Sequence, residues 1–559
     1  MSPLVARLLA ERGITDVSAF LEPSYEMRHD PFLLPDMKIA VERILTAIEK
    51  KEKIAVWHDY DCDGIPGGSL LADFFTKVEY PVRMMVAERS EGYGLNEAGI
   101  RALADEGVSL LITVDCGITE NENVALAQSL GIDVIVTDHH LPQSILPPGI
   151  AVVNPHREDS LYPEKVLCGT GVAFKLVEAL IQKGKFNIPV GWEKWLLDLV
   201  ALATVADMVP LIGENRTLVK FGLRVMAKGR RVGLAALLRK ERIPLPFITE
   251  DDIAFSIAPK INAASRMESP RIGVELLTTT DEARANELAN KLVSLNKARK
   301  LAGARVAKEV KHRLESTPQQ HALIVMGSQE WRPSLLGIAG NNIIETYKKT
   351  VCLWGKDGEL IKGSIRSAGD VNVVALMTAA RQVLTDFGGH ESSGGFSIAP
   401  EKIHELESAL RTAYDALLGD SSGESSVTLR SSQTSPSEPR LEAHDGVLTL
   451  SEVTDRTYES LRMLAPFGIE NEKPVFRFTD VVVDAVAFFG AHDEHVRLKL
   501  SDERGASIEA IAFFVPRTAF KDDLELLSPG DRVTLDATIE KSHFMGRTSL
   551  RLRLENLTV

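Results

Sequence analysis

The chain has 559 residues, of which 44% are hydrophobic and 25% are charged, and its formal net charge at pH 7 is −14. This length suits roughly three or four domains. The negative charge argues against a broad polyanion-binding surface and confines any nucleic-acid site to a local basic groove. The four cysteines lack disulfide or zinc spacing, and no apolar run reaches the ~18 residues of a membrane span. We therefore expect a cytoplasmic protein without structural zinc or membrane contact.

The first half of the chain predicts helices followed by an α/β domain. Residues 1–40 begin with MSPLVARLLAERGITDVSAFL, which is typical of an amphipathic helix rather than a signal peptide. Between 41 and 230, short apolar runs alternate with helical stretches. This alternation predicts parallel βαβ units.

The second half predicts a connector, a smaller α/β domain and a barrel. Residues 231–320 form a helical connector, because a long charged helix pattern runs from about 281 to 315. A second α/β segment spans 321–418 and opens with the strand-like HALIVMG. A serine-rich stretch predicts a flexible linker at 419–438. The short strand-like runs of 439–559 are typical of a small antiparallel barrel.

Acidic residues and histidines follow four predicted strands of the first α/β domain. They are Asp59, Asp61 and Asp63 in HDYDCDG, Asp115 in VDCG, Asp138, His139 and His140 in TDHH, and Asp207 after LVALATVA. Because parallel strands end along one rim of their sheet, these side chains should converge there. A solvated turn would explain one such motif alone, but not four together.

Convergence of these groups predicts a two-metal centre. Crowded carboxylates repel one another and take up protons unless cations neutralise them. Carboxylates mixed with imidazole suit manganese or magnesium. Two such metals activate water for the hydrolysis of a phosphoester or phosphoanhydride.

Motif sequences identify a family. DYDCDG, VDCG, TDHH and ATVADMVPL resemble motifs one to four of the DHH phosphoesterase superfamily. Five further motifs resemble the bacterial RecJ family of single-strand-specific exonucleases; in chain order they are EGYGL (91–95), NAASRM (262–267), GSIRS (363–367), GGHESSGGF (388–396) and LAPFGIENEKPVF (464–476). The match runs over essentially the whole chain.

The resemblance implies an α/β fold class with three domains. A parallel-sheet DHH domain (41–230) is joined by a long helix to a smaller α/β DHHA1 domain (321–418), and an OB-type β-barrel follows. The implied activity is 5′ to 3′ degradation of single-stranded DNA to 5′-mononucleotides with Mn²⁺ or Mg²⁺, in repair and recombination. The implied partners are single-stranded DNA, a single-strand-binding protein and a RecQ-type helicase, and the implied state is a monomer.

Site residues follow from the same resemblance. The implied metal ligands are Asp61, Asp63, Asp115, His139 and Asp207. Asp59 is a ligand or a neighbouring carboxylate, Asp138 orients the imidazoles, and His140 contacts the scissile phosphate or its leaving group. The implied DNA-binding residues are Arg89, Arg266, Arg332, Ser364, Arg366 and His390, since guanidinium groups grip phosphate bidentately.

Four positions depart from the family pattern. They are His58 and Ser265 in place of glycine, Glu88 in place of arginine, and Arg332 in place of histidine. Arg89 can substitute for the missing arginine from one position further on. The departures leave the metal positions intact and bear on recognition of the DNA end.

The barrel offers aromatic and basic residues for stacking on bases. The candidates are Phe476, Phe478, Phe488, Phe489, Phe513 and Phe514, beside Arg477, Arg497 and Lys499. Strand alternation places roughly half of the phenylalanines in the core.

Three other functions share parts of this sequence pattern. An oligoribonuclease or cyclic-dinucleotide phosphodiesterase of the same superfamily would share the metal centre, but would have little use for the barrel. A pyrophosphatase fits the first domain and not the length. An inactive DNA-holding relative would have lost the acids, which are all present here.

Overall fold

The computed structural model describes residues 1–316, 321–420, 444–490, 493–515, 518, 520–544 and 547–559. The predicted linker at 419–438 lies outside these residues except for its first two positions, which end a helix. Within the described residues, none of the helices combines the length and the hydropathy that crossing a bilayer requires.

Two short helices, α1 (Pro3–Glu11) and α2 (Val17–Leu21), open the chain. The Ser2 and Asp16 side chains cap them by accepting backbone N–H groups. Apolar residues of both helices, among them Leu8, belong to the hydrophobic core of the C-terminal barrel. Tyr25 and the residues that follow it, such as Leu34, belong instead to the core of the first α/β domain.

The first lobe is a five-stranded parallel sheet of order β2-β1-β3-β4-β5. Its strands are β1 (Ile54–His58), β2 (Val82–Val86), β3 (Leu110–Val114), β4 (Asp133–Thr137) and β5 (Ala151–Val153). Its flanking helices are α3 (Met37–Lys50), α4 (Gly64–Lys77), α5 (Glu97–Asp105), α6 (Asn121–Ser129) and α7 (Gly169–Lys183). Helices α3, α4 and α7 cover one face and α5 and α6 the other. Burial on both faces explains why β1 and β3 are continuous apolar runs.

Three helices follow: α8 (Leu197–Ala206), α9 (Gly213–Met226) and α10 (Val232–Lys240). The predicted strand before Asp207 is wrong, because the run LVALATVA lies in α8. Residues 197–205 are all buried, so no polar face marks a helical period. A run that is apolar on every side has the periodicity of neither a strand nor an amphipathic helix.

A helical connector joins the two lobes. It comprises a π-helical turn (Asp252–Ile257), α11 (Ala258–Met267), α12 (Arg271–Thr278) and α13 (Glu282–Ser316). Asp281 accepts the Arg284 amide at 2.7 Å and so caps α13. The 35 residues of α13 span about 50 Å at 1.5 Å per residue.

The second lobe has a mixed sheet of order β6-β7-β8-β10-β9, in which only β6 and β7 are parallel. Its strands are β6 (Ile324–Ser328), β7 (Val351–Asp357), β8 (Leu360–Arg366), β9 (Asp386–Gly389) and β10 (Ser393–Ile398). Its helices are α14 (Pro333–Tyr347), α15 (Val373–Ala379) and α16 (Ile403–Asp420).

The C-terminal module is a closed barrel of order β11-β12-β13-β15-β14. Its strands are β11 (Phe476–Phe489), β12 (His495–Ser501), β13 (Ser507–Ala512), β14 (Arg532–Phe544) and β15 (Arg547–Thr558), with helices α17 (Asp455–Arg462) and α18 (Lys521–Leu526). Strands β13 and β15 pair in parallel and the other pairs are antiparallel. The predicted fold class, a parallel-sheet α/β domain, a second α/β domain and a C-terminal barrel, is confirmed.

We expect Leu8→Ala to destabilise the barrel rather than the first sheet. The side chain is fully buried in the barrel core, and such truncations cost about 2–5 kcal/mol. Measured by hydrogen exchange, the backbone amides of β11 to β15 should lose protection, and those of β1 to β5 should keep it. Leu526→Ala, at a barrel residue that is 78% exposed, is the matched control. Loss of protection confined to β1 to β5 would contradict the assignment of α1 to the barrel.

Candidate metal centre and cleft

The loops after β1 and β3 carry acidic residues held by backbone hydrogen bonds. Asp61 Oδ1 accepts the amides of Asp63 (2.8 Å) and Gly64 (3.2 Å) where α4 begins. Asp115 follows β3 with a left-handed φ of 61°, and its amide donates to the Thr137 carbonyl at 3.0 Å. The sheet therefore fixes the backbone from which these carboxylates project.

His139, at the end of β4, lies at the centre of the rim. Its Nε2 is 3.1 Å from Asp115 Oδ1 and 3.6 Å from Asp63 Oδ2. Its Nδ1 is 3.8 Å from Asp207 Oδ2. Asp207 reaches the rim from the C-terminal end of α8, not from a strand.

Among the described residues, candidate ligand atoms form three groups whose members lie within 4.8 Å of one another. They are Asp63, His139 and Asp207; Asp59, Asp61 and Asp115; and Asp115, His139 and His140. Oδ1 of Asp59 and Oδ1 of Asp115 are buried acceptors that find no hydrogen-bond partner within the described parts of the chain, and a cation would satisfy them. The donor set of carboxylates and imidazole suits Mn²⁺ or Mg²⁺, so these residues fit a two-metal centre.

The electrostatics of the rim favour a bound cation. Burial, followed by the charges of Asp63 and Asp61, raises the pKa of Asp115 well above its ordinary value. The same causes raise the pKa of Asp207 to about 8. Burial lowers the pKa of His139 and so keeps the imidazole neutral, as a metal ligand must be.

Asp138 and Tyr93 hold His140. Asp138 Oδ1 accepts the His139 amide at 2.7 Å and lies 2.8 Å from His140 Nδ1. It thus contacts the ring of only one of the two histidines. Burial lowers the pKa of His140, but the Asp138 hydrogen bond and the charges of Asp138, Asp207 and Asp63 together outweigh burial and raise the pKa to about 9. The Tyr93 hydroxyl, which the sequence analysis did not assign, donates to the Asp115 carbonyl at 2.9 Å and lies 3.3 Å from His140 Nδ1.

Arg89 and Arg266 lie near this rim, since their charges interact with Asp59 and Asp61 respectively, and Arg299 lies near Arg266. In the part of the chain that the structure describes, Nε of each of these arginines is buried and has no hydrogen-bond partner. Burial, then the charges of Arg89 and Arg299, lowers the pKa of Arg266 to about 9. The Arg89 guanidinium carbon lies 4.2 Å from the centre of the Tyr60 ring. No local sequence signal singles out Arg299, because α13 is charged along its length and nothing distinguishes one cation from the next.

The second lobe contributes the remaining predicted DNA-binding residues. Arg366 Nη1 donates to Ser364 Oγ at 2.8 Å at the end of β8. Burial, followed by the charge of His140, lowers the pKa of His390. His390 therefore lies near the His140 ring. Arg332 is exposed immediately before α14. Oγ of Ser334 in α14 donates to the Arg266 carbonyl at 2.9 Å, so the two lobes meet at the cleft.

Comparison with known proteins identifies the family. Three family models match the chain: the DHH family N-terminal domain at 53–204, the DHHA1 domain at 319–415 and the RecJ OB domain at 444–556. The single-stranded-DNA-specific exonuclease RecJ of Bacillus subtilis is 31% identical, with 100% of this chain and 68% of the relative covered. The single-stranded-DNA-specific exonuclease RecJ of Escherichia coli is 30% identical, with 100% of this chain and 96% of the relative covered.

The chain belongs to the RecJ family. A crystal structure of RecJ in complex with Mn²⁺ from Thermus thermophilus is similar over the whole chain. The TM-score is 0.79 at 25% identity, with 100% of this chain and 76% of that chain covered.

The structure shows the surroundings of three residues that depart from the RecJ pattern, His58, Glu88 and Ser265. His58 is buried with its ring against α4, where a Cβ on Gly68 would lie 2.1 Å from the imidazole. Glu88 accepts the Ser269 hydroxyl at 2.6 Å and so turns to the connector, while Arg89 turns to the cleft. Ser265 Oγ is buried and finds no hydrogen-bond partner within the described residues. The side chain of Glu88 is thus engaged with the connector, and Arg89 is the cation next to it.

The barrel divides its candidate residues between core and surface. Phe476 and Phe478 are fully buried and unavailable for stacking, and Arg477 pairs with Asp536 at 2.8 Å. An aromatic surface cluster surrounds His495, whose ring centre lies 4.9–5.3 Å from those of Phe489, Phe513 and Phe514. Phe488 is 40% exposed. Cations beside these rings are Arg497, Arg551 and Arg553, and Lys499 is exposed on β12.

We expect Asp115→Asn to abolish metal binding without unfolding the protein. Removing one charge relieves repulsion within the acidic rim, so the melting temperature without metal should hold or rise. The Mn²⁺-induced rise in melting temperature should disappear, as should nuclease activity. Asp105→Asn, on the exposed end of α5, should change neither. A full Mn²⁺ response in Asp115→Asn would refute its role as a ligand.

Proposed function

We propose that the protein is a metal-dependent exonuclease that degrades single-stranded DNA from the 5′ end to 5′-mononucleotides, in DNA repair and recombination. The observation that carries this proposal is the acidic, histidine-containing rim, near which lie buried arginines whose Nε donors find no partner among the described residues. Family membership supports it, since the relatives are named single-stranded-DNA-specific exonucleases.

The cofactor is Mn²⁺ or Mg²⁺, bound as a pair. The residues that would hold it are Asp61, Asp63, Asp115, His139 and Asp207, with Asp59 alongside. When bound, two such cations would activate water for attack and neutralise charge on the phosphoryl group.

His140 and Asp138 serve the leaving group. With Nδ1 bonded to Asp138 and a pKa of about 9, His140 is protonated at neutral pH. Its Nε2–H can therefore donate to the scissile phosphate or to the departing 3′ oxygen. Asp138 keeps the ring oriented and its proton in place.

The cleft arginines bind the DNA end. Within the described residues, the Nε donors of Arg89, Arg266 and Arg299 have no hydrogen-bond partner, and guanidinium groups bind phosphate through paired N–H donors. Ser364, Arg366 and His390 are the proposed contribution of the second lobe. In this proposal a terminal 5′ phosphate binds to these groups, and mononucleotides are released from that end.

The barrel holds the rest of the strand. Its aromatic surface cluster and neighbouring arginines combine base stacking with phosphate contacts. We further propose a cytoplasmic monomer that works beside a single-strand-binding protein and a RecQ-type helicase. The family resemblance supports these partners, and four free buried cysteines support a reducing compartment.

Arg366→Ala should weaken binding of 5′-phosphorylated strands about ten- to a hundredfold, since a charge-assisted hydrogen bond contributes ~1.5–3 kcal/mol. Arg381→Ala, at an exposed position of the same lobe, is the control. Affinity is measured after the same substitutions are made in a catalytically inactive variant, so that the DNA is not degraded. In a separate assay, the wild-type protein is given circular single strands. Circles should resist the wild-type protein, and their digestion would refute recognition of an end.

Phe513→Ala should weaken binding of strands of about fifty nucleotides while leaving turnover of about five nucleotides unchanged, because one base–aromatic stack contributes ~1–3 kcal/mol. Phe247→Ala, at an exposed phenylalanine outside the barrel, controls for loss of an aromatic ring. Equal effects on short and long strands would show that this face of the barrel does not bind DNA.

A further inference from the structure

One motif has no part in the function proposed above. LAPFGIENEKPVF begins with residues 464–473, which we call the bridging segment; it joins α17 to β11. Asn471 is buried and donates through Nδ2 to the carbonyls of Leu464 (3.0 Å) and Pro466 (2.7 Å). Gly468 and Asn471 also exchange backbone hydrogen bonds of 3.0 and 3.1 Å. The bridging segment is therefore a closed loop with a defined shape.

Arg216 of α9 fixes the bridging segment to the catalytic lobe. Its guanidinium donates to the carbonyls of Ala465 (2.8 Å), Pro466 (3.1 Å) and Phe20 (3.1 Å). Its carbon lies 3.8 Å from the centre of the Phe20 ring. The side chain is 2% exposed, and burial lowers its pKa to about 10. A cation buried against three carbonyls holds them at fixed positions.

The barrel side of the bridging segment is fixed as well. Arg12, which follows α1, donates to Asn471 Oδ1 at 2.6 Å and to the Glu472 carbonyl at 2.7 Å. Lys473 forms an ion pair with Asp251 at the start of the connector. Both faces of the bridging segment are thus anchored.

The bridging segment also touches the loop that carries Asp207. Only residues 207–212 separate α8 from α9. The Leu211 amide donates to the Ile469 carbonyl at 2.9 Å, and a Cβ on Gly468 would lie 2.7 Å from Leu211 Cδ1. Asp207 is four residues upstream and 3.8 Å from His139. The barrel module therefore supports the backbone that presents one member of the metal centre.

We propose that the bridging segment positions Asp207, so that the barrel module stabilises the metal centre as well as holding DNA. Arg216 and Gly468 are positioning residues in this scheme and touch neither metal nor DNA. The inference rests on the proposed role of Asp207 as a ligand. A passive tether would need neither the contact at Leu211 nor a rigid loop.

Two variants of the full-length protein test the proposal. Arg216→Met removes the hydrogen bonds to the bridging segment, and Gly468→Val pushes on Leu211 while leaving Arg216 intact. Arg224→Met, exposed on the same helix, is the matched control. The first readout is the Mn²⁺ concentration that gives half of the maximal rise in melting temperature. The second is turnover of strands of about five and about fifty nucleotides at limiting and saturating Mn²⁺.

We expect the half-maximal Mn²⁺ concentration to rise about tenfold in both variants, the low end of the range for residues that orient ligands. Turnover of short strands should fall at limiting Mn²⁺ and recover at saturating Mn²⁺. An unchanged Mn²⁺ response with weaker binding of long strands only would overturn the proposal, and so would a lower melting temperature alone. If Arg216→Met does not fold, Gly468→Val decides. Failure of the wild-type protein to cut DNA would refute the proposed function, while the Mn²⁺ titration would still test this inference.

Discussion

Mutual repulsion among buried carboxylates is the constraint on which the rest of the molecule depends. Asp59, Asp63 and Asp115 are at most 5% exposed and project onto one rim, where like charges disfavour the folded state without a cation. The scaffold resists this repulsion with backbone hydrogen bonds. Asp63 accepts the amides of Gly169 (2.6 Å) and Thr170 (2.7 Å) at the start of α7. The sheet thus holds an arrangement that is complete only with bound metal.

The opposing charge comes from outside the first sheet. Arg266 lies on α11, Arg299 on α13 and Arg366 on β8, whereas Arg89 follows β2 of the first lobe. Most of the proposed DNA-binding cations are therefore supplied by the connector and the second lobe. This separation explains how a chain with a net charge of −14 can bind a polyanion. In the proposed mode of binding, the basic groups are concentrated along the path of the substrate phosphates, and bound cations would neutralise the neighbouring acids.

The pattern of apolar and polar residues along the chain predicts the strands and the residues at their ends. Buried apolar runs indicate β1, β3 and β4, and the strand ends predict that Asp63, Asp115 and His139 lie close together, as they do. Asp207 was placed correctly at the rim but on the wrong element, since α8 is buried on all sides and has no polar face. Arg299 and Tyr93 were missed, because their roles depend on contacts with residues far away in sequence.

A serine-rich stretch such as 421–437 is typical of a flexible linker between modules that make few other contacts. The packing indicates otherwise, because Leu8 and Leu9 of α1 lie in the barrel core and Arg216 joins the barrel module to α9. The two ends of the chain therefore form one module, and this module contacts the catalytic lobe close to Asp207. Cutting at the linker would remove the partner of α1 and expose its apolar face to water. A linker in the sequence thus predicts a boundary between modules, but it does not predict how firmly the modules pack together, because contacts elsewhere in the chain determine that.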